Sequence, residues 1–265
     1  MDALALRACA LRALLIAAAL LGMLAVSLAQ PSAAHADVDD FRFDSFDARM
    51  TLTRAADGHA ELAVTETLIA RFPDEDQNRG IIRAIPDDYD GVPLQTRITS
   101  VTGADGAAIP YEVEIDRREV RVLTGDDSYV RGAQTYVISY MQRDTIRSFA
   151  DTDAGEFYRD INGTQWEQPF GRVSVALTVD EGIAAAALDG AAACYRGAEG
   201  ATDRCDIEAA PQADGARTYT ASANDLGPGE NVTIAVGFTR GSFVPGEVVR
   251  TAAEQFSVDA APALS

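Results

Sequence analysis

Apolar and polar residues alternate with a period of two along most of the chain from Phe41 onward. This is the pattern of β-strands with one buried face. The longest strict alternation runs from Val173 to Val179, and a compact strand pattern spans Tyr136 to Tyr140. Because turn residues, and not long amphipathic helices, separate these segments, the sequence predicts an all-β fold, specifically an antiparallel β-sandwich.

Short turns divide the alternating pattern into hairpins and single strands. Residues 50–52 and 62–69 flank the turn Ala56-Asp57-Gly58, which predicts a first hairpin. Residues 98–101 and 111–115 flank the turn Gly103-Ala104-Asp105-Gly106, which predicts a second one. Further strands are predicted at residues 120–122, 217–221 and 232–238. About 200 ordered residues are enough for one large sandwich with a sizeable core.

The first 36 residues have the features of a secretory signal peptide. Arg7 and Arg12 form a basic start, and an apolar run from Ala13 to Ala29 follows and predicts a helix. Ala34-His35-Ala36 fits the small-x-small rule for cleavage, so the new N-terminus would be Asp37. An uncleaved membrane anchor is the alternative, because about 17 apolar residues approach the lower limit of a membrane span.

If the signal peptide directs export, the rest of the chain lies outside the cytoplasm and divides into two predicted parts. Residues 37–245 are predicted to form an extracytoplasmic sandwich, and residues 246–265 lose the strand pattern and resemble a linker. Cys194 and Cys205 are the two cysteines that remain after cleavage, and in an oxidising compartment they predict one disulfide. The surrounding residues 183–215 are rich in alanine and glycine, which favours a long disulfide-containing loop.

Charge and side-chain inventory exclude several classes of function. The 41 acidic residues exceed the 22 basic ones, giving a net charge of −19, so nucleic acid is not expected as a partner. The same charge argues against docking on a membrane surface, which leaves tethering as the route to a membrane. The sequence has no lysine, and His59 is the one histidine beyond residue 36. We therefore expect no enzyme, no catalytic residue, no cofactor and no bound metal.

Arg79 and Arg83 are the first candidate ligand-binding residues, because they lie four positions apart in an otherwise apolar octet. Such a pair can bind a carboxylate or phosphate group of a partner. Alternatively, the two arginines form ion pairs with the acids at 74–76 or 87–88 and stabilise a loop. Asp74-x-Asp76-x-Asn78 has calcium-loop spacing, but Arg79 replaces the required glycine, so an EF-hand is excluded and a looser surface calcium site stays open.

Tyr158 and Trp166 are the second pair of candidate ligand-binding residues. Together with Phe157 they could form a stacking surface for a sugar, although the single tryptophan is as readily explained as a core residue. The spacing of acidic residues does not identify a carboxylate pair for glycoside hydrolysis, because with 41 acids in the chain some pair would satisfy almost any spacing.

Several segments resemble a known family in its order along the chain. The run Arg79-Gly80-Ile81-Ile82-Arg83-Ala84-Ile85-Pro86 is similar to the Arg-Gly-Ile-x-Arg-x-Ile-Pro signature of the DUF2207 family. That resemblance implies the N-terminal extracytoplasmic domain of a bacterial membrane protein of unknown function. Arg159-Asp160 departs from the family pattern, where an aromatic residue and asparagine are usual. The other similar segments are residues 64–67 with Phe72, 136–140, 156–166 and 226–238.

The resemblance also bears on anchoring and function. Family members usually continue into transmembrane helices, so we expect the chain to be the ectodomain of an anchored protein, with a secreted relative as the alternative. The expected role is a non-enzymatic interaction or sensing module with an envelope protein or wall polymer as partner. The alternative role is a secreted protein that binds cell-wall polymer or carbohydrate, with possible carboxylate-dependent activity on it.

Overall fold

A computed structural model describes residues 38–116, 118–149 and 154–249. The signal segment, its cleavage site at Ala36 and Asp37, and residues 250–265 lie outside the described residues. Strands take 62% of the chain and helix 2%, which confirms the all-β prediction. The elements are β1 (Arg42–Arg54), β2 (Ala60–Phe72), β3 (Ile82–Pro86), β4 (Asp88–Tyr89), β5 (Val92–Pro93), β6 (Arg97–Thr102), β7 (Tyr111–Ile115), β8 (Glu119–Thr124), β9 (Gly132–Arg143), β10 (Ile146–Phe149), β11 (Ala154–Asp160), β12 (Phe170–Val179), α1 (Glu181–Ala184), β13 (Ala187–Gly197), β14 (Asp203–Cys205), β15 (Ile207–Pro211), β16 (Arg217–Leu226) and β17 (Asn231–Thr239).

A seven-stranded sheet in the order β15-β16-β12-β1-β2-β9-β6 forms one layer. Its neighbours pair antiparallel except β1 and β12, which run parallel from Phe43↔Phe170 to Leu52↔Val179. β2 shows why this sheet has a buried face, because every second residue from Ala60 to Phe72 is buried. Alternate side chains of a strand point to opposite faces, so β2 directs seven consecutive inward positions into the core.

Two smaller sheets cover the buried face of the seven-stranded sheet. One has five strands in the order β10-β11-β17-β13-β14, and the other has three in the order β3-β8-β7. Val122 of β8, Ile234 of β17 and Val64 of β2 belong to one continuous apolar core, so all three sheets share it. A short β4-β5 ladder completes the strand pairing within the described residues. The fold is a sandwich whose second layer is divided into two sheets.

The predicted second hairpin is wrong, because its two strands belong to different sheets. β6 pairs with β9 in the seven-stranded sheet, whereas β7 pairs with β8 in the three-stranded sheet. The turn between them does form, with Gly103 N donating to Ala107 O at 2.8 Å and Ile109 N donating to Val101 O at 3.0 Å. Pro110 follows and has no N–H to continue the ladder, so the chain leaves β6 at this point.

The disulfide between Cys194 and Cys205 is present. The segment around it is more regular than the predicted loop, since it contains α1, β13, β14 and β15. The two cysteines are paired residues of adjacent antiparallel strands, β13 and β14. Alanine and glycine have low strand propensity, but β13 pairs along the strongly apolar β17, and this tertiary context overrides the local preference.

The described end of the chain packs against two turns of the domain. Val244 N donates to Gly58 O at 2.9 Å, and Val249 N donates to Gly91 O at 2.8 Å. A Cβ on Gly246 would lie 2.4 Å from a Val92 methyl carbon, so a larger residue would not fit there. Residues 246–249 of the predicted tail are therefore in contact with the sandwich. In the described part of the chain, no helix has the length and apolar character needed to cross a membrane.

Candidate interaction surfaces

Arg83 connects the three sheets through a buried ion pair. Its Nε and Nη2 donate to the two carboxylate oxygens of Glu66 on β2 at 2.7 and 2.8 Å. Its other N–H groups donate to the carbonyls of Ala84, Ile161 and Asn162. Burial lowers the pKa of Arg83, but the Glu66 carboxylate more than offsets this and raises the pKa overall. The guanidinium therefore stays charged within the joint between sheets.

The predicted ligand-binding role of Arg83 conflicts with this geometry. A guanidinium has five N–H donors, and the five hydrogen bonds of Arg83 use them all. Its side chain is 2% exposed, so no anion can reach it. The partner is also neither of the acid groups at 74–76 and 87–88 that the alternative interpretation named.

Arg79 lies in a different environment from Arg83 although only four residues separate them. Its side chain is exposed, and the guanidinium carbon stacks 4.9 Å from the ring centre of Tyr129. The two arginines therefore do not form one binding pair. Ligand binding by Arg79 alone stays a prediction.

The ion pair belongs to a larger buried polar network that the sequence did not reveal. Tyr140 OH donates to Glu66 Oε1 at 2.7 Å and accepts a hydrogen bond from Arg159 Nη2 at 2.8 Å. Arg159 Nη1 donates to Gln142 Oε1 at 2.6 Å, and none of the described carboxylates lies within ion-pair distance of it. Burial raises the pKa of Tyr140, so its hydroxyl stays neutral and can donate. The Glu66 carboxylate thus pairs directly with Arg83 and is connected to Arg159 only through the Tyr140 hydroxyl.

Trp166 and Tyr158 do not form a common stacking surface. Trp166 is 9% exposed, packs edge-to-face on Phe43 and Phe170, and donates its indole N–H to Asn162 O at 2.8 Å. It is a core residue. Tyr158 is 43% exposed on the outer side of β11, where alternate residues face solvent. Sugar stacking on Tyr158 alone stays a prediction.

A cleft of about 430 Å³ lies beside β3. One wall is formed by β3 and the residues before it, and the other by the segment after β11. Gly80 fixes the entry to β3, because a Cβ there would lie 1.9 Å from Thr124 O. The lining residues are Val38, Asp39, Phe41, Asn78, Gly80–Ala84, Pro86, Arg121, Asp160 and Asn162–Gln168.

β7 is the most exposed apolar strand among the described residues. Tyr111 is 39% exposed, Val113 41% and Ile115 75%, and every residue of the strand is exposed. These three side chains share a face with Val120 and Val122 of β8, which are buried. β7 therefore extends past the edge of the core and leaves its apolar side open.

His59 is hydrogen-bonded to two aspartates. Its Nδ1 lies 2.6 Å from Asp144 Oδ1, and its backbone N–H donates to Asp57 Oδ1. Among the described residues, no group of three or more histidine, cysteine or acidic side chains is arranged to hold a metal ion. Asp76 of the possible calcium loop instead pairs with Arg131, and Asn78 Nδ2 donates to Val38 O.

The three sheets, the buried polar network around Glu66 and Arg83 (the polar joint) and the open edge of β7 together define a β-sandwich domain. The chain belongs to the family described as the N-terminal domain of a predicted membrane protein, DUF2207, whose model matches residues 43–238. This assignment confirms the resemblance drawn from the sequence and makes the chain a domain of a membrane-associated protein. No curated protein matches the chain in sequence.

Among solved structures, similarity extends to parts of larger peptidases and a hydrolase. The M1 zinc metallopeptidase from Deinococcus radiodurans is 13% identical with a TM-score of 0.40, covering 73% of this chain and 42% of that one. Leukotriene A4 hydrolase from Saccharomyces cerevisiae is 10% identical with a TM-score of 0.44, covering 81% and 33%. A putative protease from Parabacteroides distasonis is 14% identical with a TM-score of 0.43, covering 76% of this chain and 41% of that one. The chain spans less than half of each protein, and scores this low carry no functional argument.

Proposed function

We propose that this domain is the extracytoplasmic part of a membrane-anchored protein and acts as a non-enzymatic interaction module. Family membership supports the membrane association, and the sequence features of the first 36 residues support export. The observation that carries the interaction role is the open apolar edge of β7. Exposed apolar strands at sheet edges are the sites where proteins accept a further strand from a partner.

The backbone of β7 offers the hydrogen bonds for such a partner. At its ends, Asp116 N donates to Glu119 O and Gly125 N donates to Pro110 O. In an antiparallel ladder alternate residues bond to the same neighbour, so the even-numbered residues of β7 bond to β8. Tyr111, Val113 and Ile115 consequently direct their backbone N–H and C=O groups to the free edge. Among the described residues, those with the exposed apolar side chains are therefore also those whose backbone groups β8 leaves unpaired.

The chemistry of the two faces of β7 describes the partner. Glu112 and Glu114 lie on the face opposite the three apolar residues. A segment that pairs with β7 would place alternate residues on the same two faces. Glu114 already pairs with Arg121 at 2.9 Å, so the charge preference rests on Glu112. The partner is therefore an extended segment of an envelope protein in which apolar residues flank a lysine or arginine.

Photocrosslinking in cells tests this proposal. A photoreactive amino acid replaces Val113 in the full-length protein, and we expect one discrete crosslinked adduct with a protein partner. The matched control replaces Ala209, an exposed residue of β15 at the edge of the seven-stranded sheet. Absence of an adduct at Val113, or the same adducts at both positions, would reject β7 as the interaction surface.

A further inference from the structure

The cleft beside β3 contains a buried hydrogen-bond acceptor without a donor. Asn78 is 8% exposed, and its Nδ2 group is held by Val38 O at 2.7 Å. Its Oδ1 has no hydrogen-bond partner among the described residues. A buried unsatisfied carbonyl costs about 1–3 kcal/mol, so a ligand that brings an N–H group to it gains affinity.

The free edge of β3 adds unpaired backbone groups to the same cleft. Thr124 N donates to Ile81 O, and Asp87 N donates to Arg118 O, so the odd-numbered residues of β3 bond to β8. Ile82 and Ala84 therefore direct their backbone groups away from β8, and both line the cleft. Arg83 Nη1 already donates to Ala84 O, which leaves the Ile82 N–H, the Ile82 C=O and the Ala84 N–H.

The opposite wall of the cleft is held in place by the polar joint. Asn162 is fully buried; its carbonyl accepts hydrogen bonds from Arg83 and Trp166, and its side chain holds Val232 N and Glu230 O. The walls are therefore positioned before any ligand arrives, which lowers the entropic cost of binding.

We propose that this cleft binds an extended polypeptide segment of about three residues, which pairs with β3 and donates one N–H to Asn78 Oδ1. The lining includes the acidic residues Asp160 and Glu167, and its Arg121 is paired with Glu114 at 2.9 Å, so a segment with a basic side chain is favoured. The site goes beyond the proposed function, because it uses the other edge of the three-stranded sheet and a different set of residues from β7.

The fluorescence of Trp166 tests the proposal, since it is the single tryptophan of the chain and lines the cleft. The probe is the blocked tripeptide acetyl-Val-Arg-Val-amide, titrated into the full-length protein. We expect saturable binding with a dissociation constant of roughly 1 mM. The same peptide, methylated at the backbone nitrogen of its central residue, should bind about tenfold more weakly. That nitrogen can no longer donate a hydrogen bond to the cleft.

Proline variants locate the binding to one edge. Ala84→Pro removes an outward N–H of β3 and should weaken binding about tenfold. Ala209→Pro, at an exposed position of the edge strand β15 outside both surfaces, is the matched control and should leave the titration unchanged. Equal binding of the N-methylated peptide, or no fluorescence change, would overturn the proposal. Full binding in Ala84→Pro together with loss of binding in Val113→Pro would also overturn it, and would assign the peptide to β7 in support of the proposed function.

Discussion

The two sheets that cover the core are attached to it in different ways. The five-stranded sheet buries Phe157, Ile234, Val236 and Phe238, and its edge strand β14 is joined covalently to β13. The three-stranded sheet contributes fewer apolar residues and is attached through the ion pair of Arg83 with Glu66. Its outer strand β7 is exposed along its whole length.

The ion pair explains how a sheet with open edges is held in position. Apolar packing is non-directional, so a sheet held by it alone needs broad coverage to be fixed in position. A bidentate ion pair fixes both the distance and the angle between its partners. We interpret Arg83 as the contact that positions the three-stranded sheet while both of its edges stay available. Because one attachment is ionic and the other apolar and covalent, each can be broken by separate substitutions.

The largest expected effect comes from breaking the ion pair. Glu66→Leu leaves the Arg83 guanidinium buried without its carboxylate and should lower the free energy of unfolding by about 3–5 kcal/mol. The double variant Glu66→Leu with Arg83→Met also removes that buried charge and should lose less than the sum of the two single variants. Urea unfolding measures both.

A surface pair provides the control for that measurement. Asp76 and Arg131 are each about half exposed, so Arg131→Ala should change stability by less than about 1 kcal/mol.

Additive losses in the Glu66 and Arg83 double variant would show that the pair does not act as a unit, and would contradict its role as a joint.

Removing the disulfide should have a smaller and more local effect. The double variant Cys194→Ala with Cys205→Ala opens a ring with a sequence separation of 11 and should cost about 2–3 kcal/mol. Hydrogen exchange should accelerate in β13 and β14 and stay unchanged in β7 and β8 when compared at equal global stability. Faster exchange in both sheets alike would show that they are not independently attached. A reducing agent should have no effect on the variant.

The smallest expected effect concerns Tyr136. Burial raises its pKa from 10.0 to about 12, and its hydroxyl has no hydrogen-bond partner among the described residues. An unfolded tyrosine loses its proton near pH 10, so between pH 10 and about 12 the unfolded state binds fewer protons than the folded state. This contribution to stability is complete below pH 10 and is lost as the pH rises.

Tyr136→Phe should remove the part of the stability loss at alkaline pH that Tyr136 causes. At pH 7 it should change the free energy of unfolding by less than about 1 kcal/mol. Urea unfolding at neutral and alkaline pH measures the change in slope. Tyr129→Phe, at an exposed tyrosine outside the strands, is the matched control. If Tyr136→Phe left the alkaline slope unaltered, burial of this hydroxyl would not be the cause.

Local patterns in the sequence predicted the strands and the disulfide. Alternation along β2, β9 and β12 identified buried faces, because the two-residue period of a strand is a property of neighbouring residues. The same alternation contains a signal that the sequence predictions did not use, because the carboxylate of Glu66 lies at an inward position of β2 among apolar residues. That charged residue in a buried register was the one available signal for the polar joint.

The partners of these residues were decided only by the tertiary structure. Glu66 lies 17 residues from Arg83 and 74 from Tyr140, and no local pattern connects them. The tertiary structure also decided that β6 pairs with β9, that β3 and β7 have open edges, and that Tyr158 is separated from Trp166. An isolated strand pattern specifies which face is buried but not which strand lies beside it, because pairing depends on how all the strands together enclose one core.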